Sequence, residues 1–264
     1  PPPGSMIQYF RRNKSYGRRE DSTSMREHPQ IAIDGPAGVG KSTIGERVAR
    51  RLGCLYVDTG AFYRTLTFLA LERAISPDDA EALAALARTA RMRIVAPTER
   101  EALADGRQYT VLADDRDITR ELRTPKVEAS VSRVARHPDV RAALILLMRR
   151  MVDEHAVVMV GRDIGTVVLP EADLKIYLMT SIDERARRRH SDLVAQLGAA
   201  SPSLEAVRAD IARRDEIDRA QMRPAPDAIT LQNDHLEPEQ TVELILGELR
   251  QRQAAAGLMA AAED

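Results

Sequence analysis

The sequence predicts a doubly wound α/β fold, in which helices cover both faces of a five-stranded parallel sheet, with a small α+β insert and a helical lid. Short apolar runs alternate with helical patterns from Gln30 onward. A glycine-rich turn joins the first apolar run to the first helical pattern. The charged stretch 76–123 interrupts the alternation. Because strands that alternate with helices form crossover units, the alternating part favours a parallel sheet.

Five apolar runs are the predicted strands of this sheet. They cover residues 31–33, 55–57, 156–160, 174–178 and 228–231. Polar and apolar residues alternate little within them, which is typical of strands buried on both faces. Helical spacing of apolar residues appears near 43–52, 60–74, 138–154, 182–196, 203–218 and 238–255. Pro138 and Pro238 stand in the first turns of two of these helices, where proline is tolerated.

The charged stretch 76–123 is predicted to form the insert. A helix is expected at 77–90, and short strands are expected at 92–95 and 109–112. The predicted main domain covers 29–256, including this insert and a lid at about 183–213. A flexible basic tail, 1–28, is expected before it and an alanine-rich tail, 257–264, after it.

Composition argues against several classes of protein. The chain has 264 residues, 39 of them basic and 40 acidic, and a net charge of −1, which disfavours general binding of nucleic acid. Cys54 is the single cysteine, so no disulfide within the chain can form, as suits a reducing cytoplasm. No apolar stretch approaches the roughly 18 residues of a membrane span. We expect a cytoplasmic monomer without membrane or nucleic-acid partners.

The most specific motif follows the first predicted strand. It matches G-x-x-x-x-G-K-[ST] and lies between a strand and a helix, which is the context such a phosphate-binding loop requires. Backbone N–H groups and the positive end of the helix dipole attract phosphate there. Lys41 adds a positive charge, and the hydroxyl of Ser42 is a hard ligand for Mg²⁺. The predicted nucleoside triphosphate site comprises Gly35, Pro36, Ala37, Gly38, Val39, Gly40, Lys41, Ser42 and Thr43.

Other charged residues follow predicted strands or crowd the predicted lid. Arg64 lies one turn inside the helix after strand 55–57, either aimed at a phosphate or solvated behind a helix cap. Arg162 and Asp163 follow strand 156–160, at the edge where open α/β sheets bind ligands. The arginine-dense segments 185–189 and 213–219 suit a lid over phosphates or, alternatively, solvated helix faces.

Together these segments resemble the bacterial cytidylate kinases, a family of nucleoside monophosphate kinases. The resemblance runs from about residue 30 to about residue 247. It rests on I-D-G-P-A-G-V-G-K-S-T, D-T-G-A-F-Y-R, R-T-P-K-V-E-A-S-V-S, G-R-D-I-G-T-V-V-L-P-E-A-D-L-K-I-Y-L and R-R-D-E-I-D. It implies that ATP, with Mg²⁺, phosphorylates CMP or dCMP. Lys41, Arg162 and Asp163 are then the expected catalytic residues.

The resemblance also implies how the acceptor nucleotide is held. Arg64 and Arg162 are expected to contact the phosphate, near Thr59. The base is expected to contact Ser132, Arg141 and Asp163, and the sugar is expected to contact Arg214 and Asp218. The arginines expected to supply lid charge are Arg185, Arg187, Arg188 and Arg189.

The base-reading residues make chemical sense on their own. Cytosine offers an amino donor at N4, which suits a carboxylate, and acceptors at N3 and O2, which suit arginine. Uracil has a carbonyl oxygen and an N3 hydrogen in these places. Because a site whose buried polar groups are left unpaired rejects such an analogue, Asp163 and Arg141 are expected to favour CMP and dCMP over UMP.

Two positions depart from the family's pattern. Many members have an acidic residue before G-R-D, where this chain has Val160, and Asp34 is a candidate to supply that carboxylate. Gln221 stands where the family has an arginine, which Arg219 or Arg223 could replace. Three other functions stay open: a kinase for another acceptor such as AMP, UMP or shikimate, a nucleotide-dependent switch, and a structural protein with a vestigial site.

Overall fold

The computed structural model describes residues 29–219 and 222–260. The predicted tail 1–28, Gln221 and residues 261–264 lie outside these ranges. The chain divides into two compact units. The first unit contains the described residues before and including Cys54 together with those from Val158 onward, and the second unit is Leu55–Val157.

The elements follow one another in the order that the sequence predicts, with additions in the insert and one further helix, Pro125–Ala135, after it. The first half contains β1 (Gln30–Asp34), α1 (Lys41–Leu52), β2 (Leu55–Asp58), α2 (Thr59–Glu72), α3 (Ala80–Thr89), β3 (Met92–Val95), α4 (Glu99–Asp105), β4 (Thr110–Ala113) and β5 (Arg116–Asp117). The second half contains α5 (Pro125–Ala135), α6 (Pro138–Val152), β6 (Val157–Val160), β7 (Leu174–Met179), α7 (Ile182–Leu197), α8 (Leu204–Asp218), β8 (Ile229–Gln232) and α9 (Pro238–Ala260).

The larger sheet confirms the predicted doubly wound parallel fold. Its five strands have the order β2-β6-β1-β7-β8, so β1 is central. β7 runs parallel to β1, with Ile31 opposite Leu174, and parallel to β8, with Ile176 opposite Ile229. Every residue of β1 and of β6 is buried, as the unbroken apolar runs predicted. The carboxyl end of β1 therefore delivers the glycine-rich turn to the middle of the sheet edge.

The first unit also contains two helix pairs. α1 packs against α9. α7 and α8 form the pair that the sequence predicts as the lid, and they have a small core of their own made of Ala186, Val207 and Ile211, with Ile182 and Leu193 packed against it. A single 3₁₀ turn, Gly198–Ala200, follows α7.

The second unit holds a three-stranded antiparallel sheet of order β3-β4-β5, which confirms the predicted small insert sheet. Met92 lies opposite Ala113, and Leu112 lies opposite Asp117. α3 begins later than expected because the side chain of Asp79 caps it by accepting from the N–H of Ala82. The sequence interpretation missed α4, although Thr98 and Glu101 form a reciprocal capping box in front of it.

In the two described ranges, no helix combines the length and apolar character that crossing a bilayer requires.

Candidate active site

The glycine-rich turn begins where β1 ends. Gly35 has a φ of +146°, which side chains rarely adopt, and a Cβ on it would collide with the carbonyl oxygen of Leu178. Only glycine fits this position without strain. Lys41, the first residue of α1, is buried, and its Nζ donates hydrogen bonds of 2.6 Å to the carbonyl oxygens of Gly35 and Pro36. The ammonium group therefore lies over the turn, beside a helix N-terminus, and helix N-termini are suited to binding phosphate.

Two side chains from distant elements hold other carbonyl groups of the turn. Nη1 of Arg185 donates to the carbonyl oxygen of Ala37 at 3.0 Å, and Nδ2 of the buried Asn233 donates to that of Val39 at 3.0 Å. Because the C=O and N–H of a peptide unit point in opposite directions, these bonds turn the amides toward the other side of the loop, where an anion can bind. The sequence interpretation missed Asn233, although it directly follows β8.

Asp34 joins this turn to the segment that carries Arg162 and Asp163. Its buried carboxylate accepts hydrogen bonds from the amides of Ile164 at 2.8 Å and Gly165 at 2.7 Å. Burial raises the pKa of Asp34 above its ordinary value, although the two amides and the charge of Lys41 act in the opposite direction. Val160 is buried and apolar at the end of β6. Asp34 thus brings a carboxylate to this edge of the sheet from the neighbouring strand.

Arg162 and Asp218 meet, as the resemblance implies for two residues of one site. Nε of Arg162 donates to Oδ2 of Asp218 at 2.9 Å, and both side chains are about one-third exposed (31% and 29%). Asp163 precedes a π-helical turn, Ile164–Val168, and its carbonyl oxygen accepts from the amides of Val167 and Val168. Arg214 does not join this pair, because its Nε instead contacts Asp210 at 2.8 Å.

The four lid arginines divide into two classes. Arg185 is buried, forms a two-pronged ion pair with Asp215 and donates to the carbonyl oxygen of Thr180. Arg188 contacts Glu184 at 2.8 Å and the carbonyl oxygen of Asn233 at 2.9 Å. Arg187 and Arg189 are exposed. Two of these arginines therefore turn inward, and two lie on the solvated face.

The sequence interpretation also did not single out Asp215. It lies inside the R-R-D-E-I-D segment, between two residues that the resemblance does assign, and that position is the signal that could have identified it. Its carboxylate is the partner that holds Arg185.

The second unit gathers the other predicted acceptor-binding residues on three helices. Asp58 caps α2 by accepting from the N–H of Gly60 at 2.9 Å, and Thr59 is buried behind it. Arg64 on α2 is only 18% exposed, and its Nε donates to Oε1 of Glu128 on α5 at 2.9 Å, so it is not a freely solvated arginine.

The remaining two residues flank this ion pair. Ser132 is exposed and lies one helical turn after Glu128 on α5. On α6, the guanidinium carbon of Arg141 lies 5.7 Å from the centre of the Tyr63 ring, within cation–π distance. Tyr63 precedes Arg64 on α2, so α2 connects the arginine proposed for the phosphate to the one proposed for the base.

The residues at the turn fit a magnesium ion that arrives with a nucleotide. The side chain of Ser42 is exposed at the start of α1, directly after Lys41. Within residues 29–219 and 222–260, no three His, Cys, Asp or Glu side chains cluster in a way that could hold a metal ion. Mg²⁺ commonly keeps several waters and is held by one or two protein oxygens together with phosphates, so a single hydroxyl donor is in keeping with its chemistry.

Comparison with known proteins agrees with this arrangement. The family model for cytidylate kinase matches residues 31–251. A cytidylate kinase from Roseiflexus castenholzii is 50% identical over 222 residues, which cover 84% of this chain and 94% of the relative. One from Chloroflexus aggregans is 48% identical over 222 residues, with the same coverage of 84% and 94%. One from Geobacillus sp. (strain WCH70) is 40% identical over 233 residues, covering 86% of this chain and 99% of the relative. The chain belongs to the cytidylate kinase family.

Proposed function

We propose that this protein transfers the γ-phosphoryl group of ATP to CMP or dCMP, giving ADP and CDP or dCDP. One observation carries the proposal beyond family membership. Asp34 precedes the phosphate-binding turn and accepts hydrogen bonds from the amides of Ile164 and Gly165, directly after Arg162 and Asp163. A single carboxylate therefore ties the segment proposed for the donor to a segment proposed for the acceptor, and direct transfer needs that arrangement.

The donor half of the chemistry is electrostatic. The turn from Gly35 to Thr43 would hold the phosphates of ATP through its amides, and Lys41 would neutralise charge that develops during transfer. Ser42 would hold Mg²⁺, which supplies further charge neutralisation on the phosphates when bound. The acceptor is already a phosphate dianion, so no strong base is needed to activate it.

The acceptor half relies on recognition by separate groups. Arg64 and Arg162 are proposed to bind the phosphate near Thr59, since guanidinium groups match phosphate oxygens in pairs. Arg214 and Asp218 are proposed to bind the sugar hydroxyls, for which a carboxylate is a strong acceptor. The ion pair between Arg162 and Asp218 supports assigning both residues to one ligand.

Base selection is proposed to rest on Asp163, Arg141 and Ser132. A carboxylate accepts from the N4 amino group of cytosine, whereas it would face a carbonyl oxygen of uracil. The half-buried position of Asp163 makes such a mismatch costly, because a polar group without a partner loses its hydration there.

The helices α7 and α8 are proposed to act as the lid that excludes water, which would otherwise hydrolyse ATP. The inward contacts of Arg185 and Arg188 support a role for these two residues at its base, while Arg187 and Arg189 remain on the surface. We further propose that the protein works as a monomer in the cytoplasm, which gel filtration with light scattering would test for the oligomeric state.

The test is a coupled assay of ADP release with Mg·ATP and CMP, dCMP, UMP, AMP, GMP or no acceptor. Turnover confined largely to CMP and dCMP is expected. The variant Asp163→Asn should lose about 10- to 100-fold in the preference for CMP over UMP. Turnover mainly on AMP or UMP would reject the base assignment and leave a kinase. ADP release that no acceptor increases would favour a nucleotide-dependent switch.

A further inference from the structure

Glu128 is the partner of Arg64, and none of the roles proposed above uses it. Its Oε1 accepts from Nε of Arg64 at 2.9 Å and lies 3.5 Å from Nη1 of Arg123. Burial raises the pKa of Glu128, but the hydrogen bonds from Arg64 and Arg123 and their charges outweigh burial and hold its pKa below the usual 4.5. Glu128 is therefore ionised at neutral pH, and one carboxylate oxygen is shared by two guanidinium groups.

Arg64 belongs to a group of four charged side chains whose net charge is zero. Arg123 also lies 3.9 Å from Asp58, so the group of Arg64, Arg123, Glu128 and Asp58 contains two positive and two negative charges. Asp58 is committed to capping α2. Glu128 is the more exposed of the two carboxylates, at 43% against 18%. Of the two carboxylates, Glu128 can separate from its arginine partner at the lower cost in free energy, because water can replace the arginine as its partner.

We infer that Glu128 competes with the phosphate group of the acceptor nucleotide for Arg64 and thereby sets how tightly that nucleotide binds. The inference rests on the proposed role of Arg64 in holding the acceptor's phosphate. A guanidinium group binds phosphate best through two parallel N–H donors, and Glu128 occupies Nε, which is one donor of such a pair. A phosphate dianion approaching Arg64 must displace this carboxylate or bind close to its negative charge.

The size of the effect follows from the exposure of the pair. An ion pair with one partner substantially in water is weak, so its loss is worth about a two- to fivefold change in affinity. The effect should depend on the phosphate, because Glu128 competes for the phosphate's partner and not for contacts to the base. It should also depend on Arg64, since without that guanidinium nothing is contested.

Binding of CMP and of cytidine, measured by titration calorimetry without ATP, tests the inference. The variants are Glu128→Gln, which keeps an acceptor atom without charge, and Glu128→Ala, which removes both. Both should bind CMP about two- to fivefold more tightly than the unaltered protein and bind cytidine equally well. Glu154→Gln, which removes the charge of an exposed glutamate beyond the end of α6, is the matched control and should leave both affinities unchanged.

The variant Arg64→Ala, alone and combined with each Glu128 variant, separates failure of the inference from failure of the proposed function. If CMP binding is unchanged or weaker in both Glu128 variants, or if cytidine gains as much as CMP, the inference is wrong. If Arg64→Ala leaves CMP binding intact, the proposed role of Arg64 is wrong instead. With Arg64→Ala already present, adding Glu128→Gln or Glu128→Ala should change nothing, and a persisting gain would indicate a long-range charge effect in place of competition.

Discussion

Arg162 and Asp218 lie 56 residues apart in the sequence, and their side chains form an ion pair of 2.9 Å in the first unit. Arg162 follows β6, whereas Asp218 is the last residue of α8. The contact fixes one edge of the guanidinium group of Arg162 and leaves the carboxylate with a second oxygen for a ligand hydroxyl. The side chains of Arg162 and Asp218, which are expected to bind different parts of one nucleotide, are thereby held next to each other.

The variant Asp218→Ala should lower kcat/KM for CMP by about 10- to 100-fold, the cost of losing a hydrogen bond to a charged group. It removes the proposed sugar contact and also leaves Arg162 without the carboxylate that orients it. Steady-state kinetics with CMP varied at saturating ATP would measure the loss. Asp183→Ala, which removes an exposed carboxylate paired with Arg208 on the lid, is the control and should stay near the unaltered value. Equal losses in the two variants would contradict a specific role for Asp218.

Most of the fold was predictable because its signals are local. The five sheet strands begin and end within one or two residues of the predicted bounds, since each is an apolar run bounded by polar residues. The start of α1 was predicted two residues too late, because Gly40, which caps the helix, and the buried Lys41 interrupt the helical spacing of apolar residues. α4 escaped prediction because none of its residues is buried, so it has no apolar face to detect.

From the sequence, residues of the candidate site could be predicted only where the type and position of the residue indicate a chemical role. The phosphate-binding turn, Arg162 and Asp163 could be identified because they follow buried strands. The positions of Asn233, after β8, and Asp215, inside R-R-D-E-I-D, could draw attention to them, but their partners could not be predicted. Asn233 donates to the carbonyl group of Val39, and Asp215 pairs with Arg185. Such contacts depend on tertiary packing, which a single sequence does not display.

The second prediction concerns Gly35. Gly35→Ala should destabilise the protein and abolish ATP binding, because the residue has a positive φ and its Cβ would strike the carbonyl group of Leu178. Gly53→Ala is the matched control: it also has a positive φ, of +67°, but the space around its Cβ is open. The control should lose about 1–2 kcal/mol of stability from backbone strain alone and keep ATP binding. Thermal unfolding and ATP titration would compare them, and equal behaviour of the two variants would contradict the steric argument.

The third prediction separates the structural arginine of the lid from the solvated ones. Arg185→Met should cost about 2–4 kcal/mol, because it leaves the carboxylate of Asp215 and the carbonyl group of Ala37 without their donor. Arg187→Met should change stability by no more than about 0.5 kcal/mol, since Arg187 is 63% exposed and Glu184 keeps its contact with Arg188. Urea unfolding gives both values. If Arg185→Met reduced kcat with no loss of stability, Arg185 would act on the phosphates and not as an anchor.

The fourth prediction concerns how the stability of the protein depends on pH, through a network of charged side chains in the insert. Arg107 joins the end of α4 to β5, because its guanidinium group contacts Asp105 at 2.7 Å and Asp117 at 2.6 Å. The hydrogen bonds from Arg107 hold the pKa of Asp105 far below its ordinary 3.8. Between the lowered pKa of Asp105 in the folded protein and its ordinary pKa, the unfolded chain binds more protons than the folded one. The network therefore stabilises the protein above about pH 4 and loses this contribution as the pH falls.

Arg107→Met should therefore be less stable than the unaltered protein at about pH 7, and the difference should shrink as the pH is lowered below the ordinary carboxyl pKa. Urea unfolding of both proteins at about pH 7, 4 and 3 would follow the difference. Arg93→Met removes an arginine of β3, in the same insert, whose contact with Asp115 is well exposed, and it should show a smaller difference at every pH. A difference for Arg107→Met that stays constant down to about pH 3 would show that the arginine stabilises the insert by packing its side chain, since only the contribution of the charge is lost on protonation of Asp105.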